Sequence, residues 1–301
     1  MRLPWTGCGT ALVTPFTRDG AVDESGVRRL ARRQIDAGIH FLVPCGTTGE
    51  SPTLSEDERV RVVQLVVEEA AGRMPVLAGA GGYDTKEVIH SAKRMKQVGA
   101  AGILSVTPYY NKPTPEGLFQ HYSAIAGDVG LPVVVYNVPG RTGCNVDVAT
   151  LVRLSAVAGI VAVKEASGNM SQICDVCSSV PNDFIVLSGD DALTLPVMAV
   201  GGRGVISVSS NEIPSDMARM VDLAATNDFE SARKIHARIF PLLQVNFVES
   251  NPIPCKAAMA AMGLLEEHYR LPLVPPSAAA REKVMSVLQQ LKMLGAAARV
   301  V

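Results

Sequence analysis

A lysine closes the run Gly159-Ile160-Val161-Ala162-Val163-Lys164, and Glu165-Ala166-Ser167-Gly168-Asn169 follows it. A continuous apolar run bounded by glycine reads as a strand buried on both faces of a parallel sheet, so Lys164 stands at a strand's carboxyl end inside a low-dielectric core. Desolvation penalises an ammonium and can carry a lysine from ~10.4 toward ~7–8, which exposes the free amine that attacks a carbonyl carbon to give a Schiff base. The plainer alternative is a lysine whose stem lies along the strand end while its head reaches water. Other polar segments tip the choice toward chemistry. Cys45-Gly46-Thr47-Thr48-Gly49-Glu50-Ser51 offers hydroxyls and closely spaced backbone N–H groups, which suit a small carboxylate held beside the amine. Pro108-Tyr109-Tyr110-Asn111 and Tyr136-Asn137-Val138-Pro139-Gly140-Arg141-Thr142-Gly143 place tyrosines where phenols can pass protons as an imine forms and breaks. Taken singly, the threonine loop reads equally as a capping turn and each tyrosine as a buried structural one.

These residues need elements to bring them together. Short apolar runs at 9–14, 39–44, 76–79, 102–107, 132–137, 160–164, 184–189 and 204–209 alternate with amphipathic segments such as 23–37, 55–71, 85–98 and 115–127, several opened by Ser, Asp or Thr as helix caps. Eight strand–helix repeats in 301 residues predict a (β/α)8 TIM barrel, with a doubly wound sheet as the structural alternative. Three further helical patterns at 228–247, 254–265 and 277–294 predict a C-terminal helical extension packed on the barrel, so that the chain divides into a barrel over 1–226 and the extension over 227–301. In a barrel the active site lies at the carboxyl ends of the strands, which is where each polar segment above falls.

Several chemistries are excluded or disfavoured. The histidines at 40, 90, 121, 236 and 268 are dispersed, without the spacing a catalytic metal needs. Ser188-Gly189-Asp190-Asp191 puts two acids where many barrels bind phosphate, so the expected substrate is unphosphorylated and the acids are expected as helix caps or supporting groups. Gly79-Ala80-Gly81-Gly82 misses the spacing of a dinucleotide loop. With 28 basic against 29 acidic residues and no basic cluster, there is no footprint for nucleic acid or an anionic membrane. No apolar run approaches the ~18 residues of a membrane span and Met1-Arg2-Leu3-Pro4-Trp5 opens no signal core, so a cytoplasmic location is expected. The six cysteines form no disulfide framework, and Cys174-Asp175-Val176-Cys177 reads as helix packing rather than a redox or zinc motif.

Gly46-Thr47-Thr48-Gly49-Glu50-Ser51, Tyr136-Asn137-Val138-Pro139-Gly140-Arg141-Thr142-Gly143 and Val163-Lys164-Glu165-Ala166-Ser167-Gly168-Asn169 resemble the dihydrodipicolinate synthase family. Thr107-Pro108-Tyr109-Tyr110-Asn111, Ser188-Gly189-Asp190-Asp191, Gly204-Val205-Ile206-Ser207-Val208 and Asn251-Pro252-Ile253-Pro254 extend the likeness over nearly the whole chain. The resemblance implies that Lys164 forms a Schiff base with pyruvate, whose enamine condenses with aspartate semialdehyde in the diaminopimelate route to lysine. It implies that Tyr136 is the central proton donor and acceptor, in a relay with Thr47 and with Tyr110 of the neighbouring subunit. Thr48, Gly189 and the backbone of Ile206 would contact substrate, and Arg141 would meet the semialdehyde's carboxylate through a planar guanidinium. The protonated imine is then the electron sink, so no cofactor or metal is expected. A homotetramer built as a dimer of dimers is also implied. A pyruvate-dependent aldolase acting on N-acetylneuraminate or a 2-keto-3-deoxy acid would keep Lys164 and Tyr136 and use Arg141 differently. A pyruvate-binding regulatory protein is the alternative of another class. Relatives sense lysine in a cleft that here would draw on Ser51, Pro52, Glu56, Arg59, Tyr83, Glu87 and Tyr109. Arg59 and Tyr83 stand where lysine-sensitive members carry histidine and asparagine, so weak or absent inhibition is expected.

Overall fold

Runs of β-branched and aliphatic residues build eight strands: β1 (Gly7–Ala11), β2 (Phe41–Val43), β3 (Leu77–Gly79), β4 (Gly102–Val106), β5 (Val133–Asn137), β6 (Ile160–Glu165), β7 (Ile185–Ser188) and β8 (Gly204–Ser207). The computed structural model describes residues 4–294; the outermost ends of the two expected units, 1–3 and 295–301, lie outside them. Between the strands run α1 (Glu24–Asp36), α2 (Glu56–Ala70), α3 (Thr85–Gln97), α4 (Pro115–Val129), α5 (Pro139–Thr142), α6 (Val148–Ser155), α7 (Met170–Ser179) and α8 (Thr194–Ala199). After β8 come α9 (Pro214–Ala225), α10 (Phe229–Val245), α11 (Ile253–Ala261) and α12 (Ala278–Gln290). Helix starts follow the sequence's polar punctuation. Asp23 accepts from the Gly26 N–H and Thr114 from the Gly117 N–H, while Ser55 and Glu58 form a reciprocal capping box, each contact stabilising its helix by about 1 kcal/mol.

All neighbouring strands are parallel, in the order β2-β1-β8-β7-β6-β5-β4-β3. A parallel bridge from Leu42 to Val76 joins β2 to β3 and closes the circle. Successive side chains point to opposite faces, so each strand has an inner and an outer set. Ala11, Phe41, Val43, Leu77, Leu104, Val134, Tyr136, Ala162, Leu187 and Ile206 fill the interior with Trp5, whereas Val133, Val135, Ile160 and Val163 join the layer beneath the helices. The Trp5 and Phe41 rings meet edge to face at 5.8 Å. Gly9 makes room for this plug, because a Cβ there would fall 2.1 Å from the Phe41 ring.

The barrel and the C-terminal helices agree with the expected class, and the differences lie at element ends. The first strand begins at Gly7 rather than 9 and leaves the ladder before Leu12-Val13-Thr14, which are buried all the same. The cause is Gly204 opposite Gly7: a Cβ on Gly204 would fall 1.9 Å from the Gly7 carbonyl oxygen, and the missing side chains let β1 and β8 pair there. Buried apolar residues are also found in loops, so an apolar run overstates strand length. Cys174 and Cys177 lie in α7 as expected, and burial pushes the Cys177 thiol up to about 11, away from reactivity. Among the described residues no helix is long and apolar enough to cross a membrane.

Candidate active site

Lys164 lies one position short of the carboxyl end of β6, in register with Tyr136 of β5 on one side and Leu187 of β7 on the other. It is 5% exposed, and its Nζ sits 4.3 Å from the centroid of the Tyr136 ring. Among the described residues it forms no ion pair. The residue after each member of this couple faces the helices instead. Asn137 Nδ2 donates to Glu165 Oε2 at 3.0 Å, Asn137 Oδ1 accepts from the Val146 N–H at 3.0 Å, and Glu165 Oε1 accepts from the Ser167 N–H at 2.7 Å. The buried amide and carboxylate thereby pin both strand ends from behind, which fixes where Tyr136 and Lys164 point. Gly189, just past β7, crowds the lysine from the other side. Its N–H donates to Glu165 O at 2.7 Å, and a Cβ there would fall 2.6 Å from Ala166 Cβ and 3.1 Å from Lys164 Cε.

A cavity of ≈ 260 Å³ opens beside Tyr136, lined among others by Thr47, Ser51, Arg59, Tyr109, Tyr136 and Arg141. Thr47 and Thr48 belong to the loop after β2, a tight turn closed by Gly49 N–H to Gly46 O and Glu50 N–H to Thr47 O, each at 3.1 Å. Thr48 is buried and its Oγ1 accepts from Asn251 Nδ2 at 2.9 Å. Arg141, in α5, is exposed and donates from Nη2 to Asn251 O at 3.4 Å. Ile206 is buried in β8 within the interior cluster that includes Tyr136. The structure therefore gathers Lys164, Tyr136, Thr47, Thr48, Arg141, Gly189 and Ile206 at one end of one barrel.

Tyr110 is not brought to the same cavity. It is 92% exposed and its φ of +69° lies in the left-handed region, while its neighbour Tyr109 turns inward to line the cavity and meets the Tyr83 ring edge to face at 5.2 Å. The expected regulatory cleft divides as well. Ser51, Pro52, Arg59 and Tyr109 line the same cavity as Tyr136. Glu56 instead lies 3.1 Å from His90 Nε2 and 3.2 Å from Arg94 Nη1, and Glu87 and Tyr83 are exposed.

Of the two roles expected for the acids after β7, helix caps or supporting groups, the structure shows the second, since the N-cap of α8 is Leu193. Asp190 Oδ1 closes a local turn with the Ala192 N–H at 2.9 Å. Asp191 is buried, and its Oδ2 accepts from the Val208 and Ser209 N–H groups at 3.0 and 2.8 Å, fixing the chain that leaves β8. Burial pushes its carboxyl up from the ordinary value. Two further features escape sequence reasoning: Asn251, which touches both Thr48 and Arg141, and an ion pair between Glu50 and Lys256, both wholly buried. The available signal is a single lysine inside the apolar run Ile253-Pro254-Cys255-Lys256-Ala257-Ala258-Met259, which needs a buried partner of opposite charge. Among the described residues no three His, Cys, Asp or Glu side chains form a group that could hold a metal ion.

The model of the dihydrodipicolinate synthetase family matches residues 4–291. The 4-hydroxy-tetrahydrodipicolinate synthase of Koribacter versatilis is 54% identical over 282 residues, which is 93% of this chain and 94% of that protein. That of Chloroherpeton thalassium is 50% identical over 294 residues, 97% of each. The crystal structure of dihydrodipicolinate synthase from Aquifex aeolicus superposes with a TM-score of 0.94 at 42% identity, covering 96% of this chain and 99% of that one.

Proposed function

This chain belongs to the dihydrodipicolinate synthetase family, and on that premise we propose that it condenses pyruvate with L-aspartate 4-semialdehyde to 4-hydroxy-tetrahydrodipicolinate in lysine biosynthesis, with Lys164 as the residue that carries pyruvate. It is a lyase of the class I aldolase type. The observation that carries the assignment of Lys164 is its burial over the ring of Tyr136, without an ion pair among the described residues, where Tyr136 lines a cavity together with Thr47 and Arg141. The free amine attacks C2 of pyruvate and water leaves, giving an iminium ion; loss of a methyl proton gives the enamine, whose carbon attacks the aldehyde of the semialdehyde. The semialdehyde's own amino group then attacks C2, closing the ring and freeing Lys164. Tyr136 moves protons at each stage, in a relay with Thr47 and with the partner subunit's Tyr110. Thr48, Gly189 and the backbone of Ile206 hold pyruvate, and Arg141 takes the semialdehyde carboxylate.

The exposure of Tyr110, away from its own cavity, supports a homotetramer in which that side chain completes a neighbouring site. We place the enzyme in the cytoplasm, in line with the absence of a membrane-length apolar helix among the described residues. Lysine inhibition is weak or absent: Arg59 sets a guanidinium in the shared cavity, with no ion pair among the described residues, where it repels the inhibitor's ammonium. Steady-state assays with pyruvate and aspartate semialdehyde, beside N-acetylneuraminate cleavage, test the function. Turnover of the sugar acid without condensation would overturn it. In the same assay, strong inhibition by submillimolar lysine would refute the regulatory reading, whereas sensitivity gained by Arg59→His with Tyr83→Asn supports it.

A further inference from the structure

The molecule holds a second buried lysine that the condensation does not use. Lys256, in α11, and Glu50, in the threonine loop, both have side chains 0% exposed, and Nζ lies 2.5 Å from Oε1. The ammonium also donates to Thr14 O at 3.1 Å and sits 4.4 Å from the centroid of the Phe16 ring, so two of its protons have oxygen acceptors and its charge lies over a ring. Thr14 in turn donates from Oγ1 to Gly49 O at 2.7 Å. A ring of contacts thus runs from the chain leaving β1, through Gly49 and Glu50, to α11 and back.

The ring encloses a backbone that would not hold its shape by itself. Glu50 has φ +53°, a left-handed conformation that residues with a Cβ adopt when their surroundings impose it, and it follows Thr47-Thr48-Gly49 directly. The same C-terminal segment reaches the loop a second time through Asn251, which donates to the Thr48 hydroxyl at 2.9 Å. Stability alone does not account for the charges, because the desolvation of two ions largely cancels their attraction and an apolar pair of similar volume would serve as well. What charges supply here is direction: an ammonium shared between the Glu50 carboxylate and the Thr14 carbonyl sets the position of both.

We propose that Glu50 and Lys256 are positioning residues for the pyruvate-binding loop, the ion pair carried by α11 holding Thr47 and Thr48 where the pyruvate carboxylate is received. This rests on the Schiff-base reading of Lys164, and the experiment separates the two. Trapping the wild-type enzyme with pyruvate and borohydride comes first; mass added anywhere but Lys164 overturns that reading, whatever the pair does. Next, Glu50→Gln, Lys256→Met and the double variant are compared in thermal midpoint, in pyruvate half-saturation of trapping, and in KM for each substrate. The singles lose thermal midpoint and the uncharged double regains much of it. All three nonetheless raise the pyruvate half-saturation by roughly ten- to a hundredfold while KM for the semialdehyde stays within about twofold. A double variant that regains the wild-type pyruvate half-saturation along with its stability overturns the proposal. Thr14→Val, which keeps its shape and deletes only the hydroxyl on Gly49 O, moves the pyruvate term in the same direction by less, and an unchanged value there overturns the proposal even if the charged-pair variants fail to fold. Val176→Ala, in α7 packed against α6 and α8, lowers the midpoint without moving pyruvate half-saturation; an equal shift from it would show the effect to be general loosening.

Discussion

Two lysines of this barrel are buried, and each stands over an aromatic ring at nearly the same distance, Lys164 at 4.3 Å from Tyr136 and Lys256 at 4.4 Å from Phe16. They differ in what else surrounds the nitrogen. Lys256 has a carboxylate at 2.5 Å and a carbonyl at 3.1 Å, whereas Lys164 has no ion pair among the described residues and lies over Tyr136, which lines a cavity. Burial lowers the Lys256 ammonium below its ordinary value, but Glu50 opposes that shift and keeps the nitrogen occupied as a donor. Burial therefore does not by itself make a lysine a nucleophile; what separates the two is that Lys256 has a carboxylate against its nitrogen and Lys164 has instead a tyrosine that lines a cavity. The aromatic ring is common to both and decides nothing.

The largest expected effect falls on the unpaired member. Lys164→Ala removes the borohydride-trapped adduct and lowers turnover by on the order of 10³-fold or more, because a covalent intermediate is lost rather than a contact. Labelling of Lys256 in that variant would break the comparison. The paired lysine responds in stability as well as in pyruvate half-saturation: Lys256→Met strands the Glu50 carboxylate and costs about 3–5 kcal/mol in urea unfolding, while trapping of that variant still labels Lys164. Arg141→Ala sharpens the contrast from the substrate side. Pyruvate trapping stays largely intact, and efficiency toward the semialdehyde falls on the order of 10²-fold, the loss of one charged bidentate contact. Equal loss of both steps would make Arg141 structural.

The smallest effect comes from a third buried base that has neither cavity nor carboxylate contact. Burial lowers His121 to about 4 from an ordinary 6.5, against the opposing influence of Asp84, and Thr85 Oγ1 lies 2.9 Å from Nδ1. Between those values the unfolded chain binds the proton and the fold does not, so the stabilising contribution is complete above about 6.5 and is lost as pH falls toward about 4. Denaturant midpoints measured across that window fall on acidification, and His121→Gln flattens the slope by no more than about 1.4 kcal/mol per pH unit. An unchanged slope would show that other groups govern it.

The fold class was legible because eight strand–helix repeats leave a periodic trace, and the strand-end motifs were legible because each lies within a few contiguous residues. Lys164, Tyr136 and the threonine loop needed only the rule that barrel strands present their carboxyl ends to one mouth. The supports behind them left no such trace. Glu50 and Lys256 are 206 residues apart, and Thr48 and Asn251 are 203 apart, so no spacing connects them. Asn137 and Glu165 were in view inside recognisable motifs, yet the strand's alternation sends them to the face opposite the chemistry. Their role as props appears only once β5 and β6 are laid side by side in register. Tyr110 shows the converse limit. Its sequence neighbour turns into the cavity, and one left-handed residue sends Tyr110 the other way, which no apolar pattern records.

The Glu50–Lys256 contact also constrains how this chain can be recombined. A crossover placed anywhere between residues 50 and 256 brings Glu50 from one parent and Lys256 from the other. If one parent carries the ion pair and the other an apolar pair of similar volume, every such hybrid inherits a lone charge in a dry interior, whichever way round the parents are joined. The C-terminal helices are thus heritable only together with a short loop near the other end of the chain.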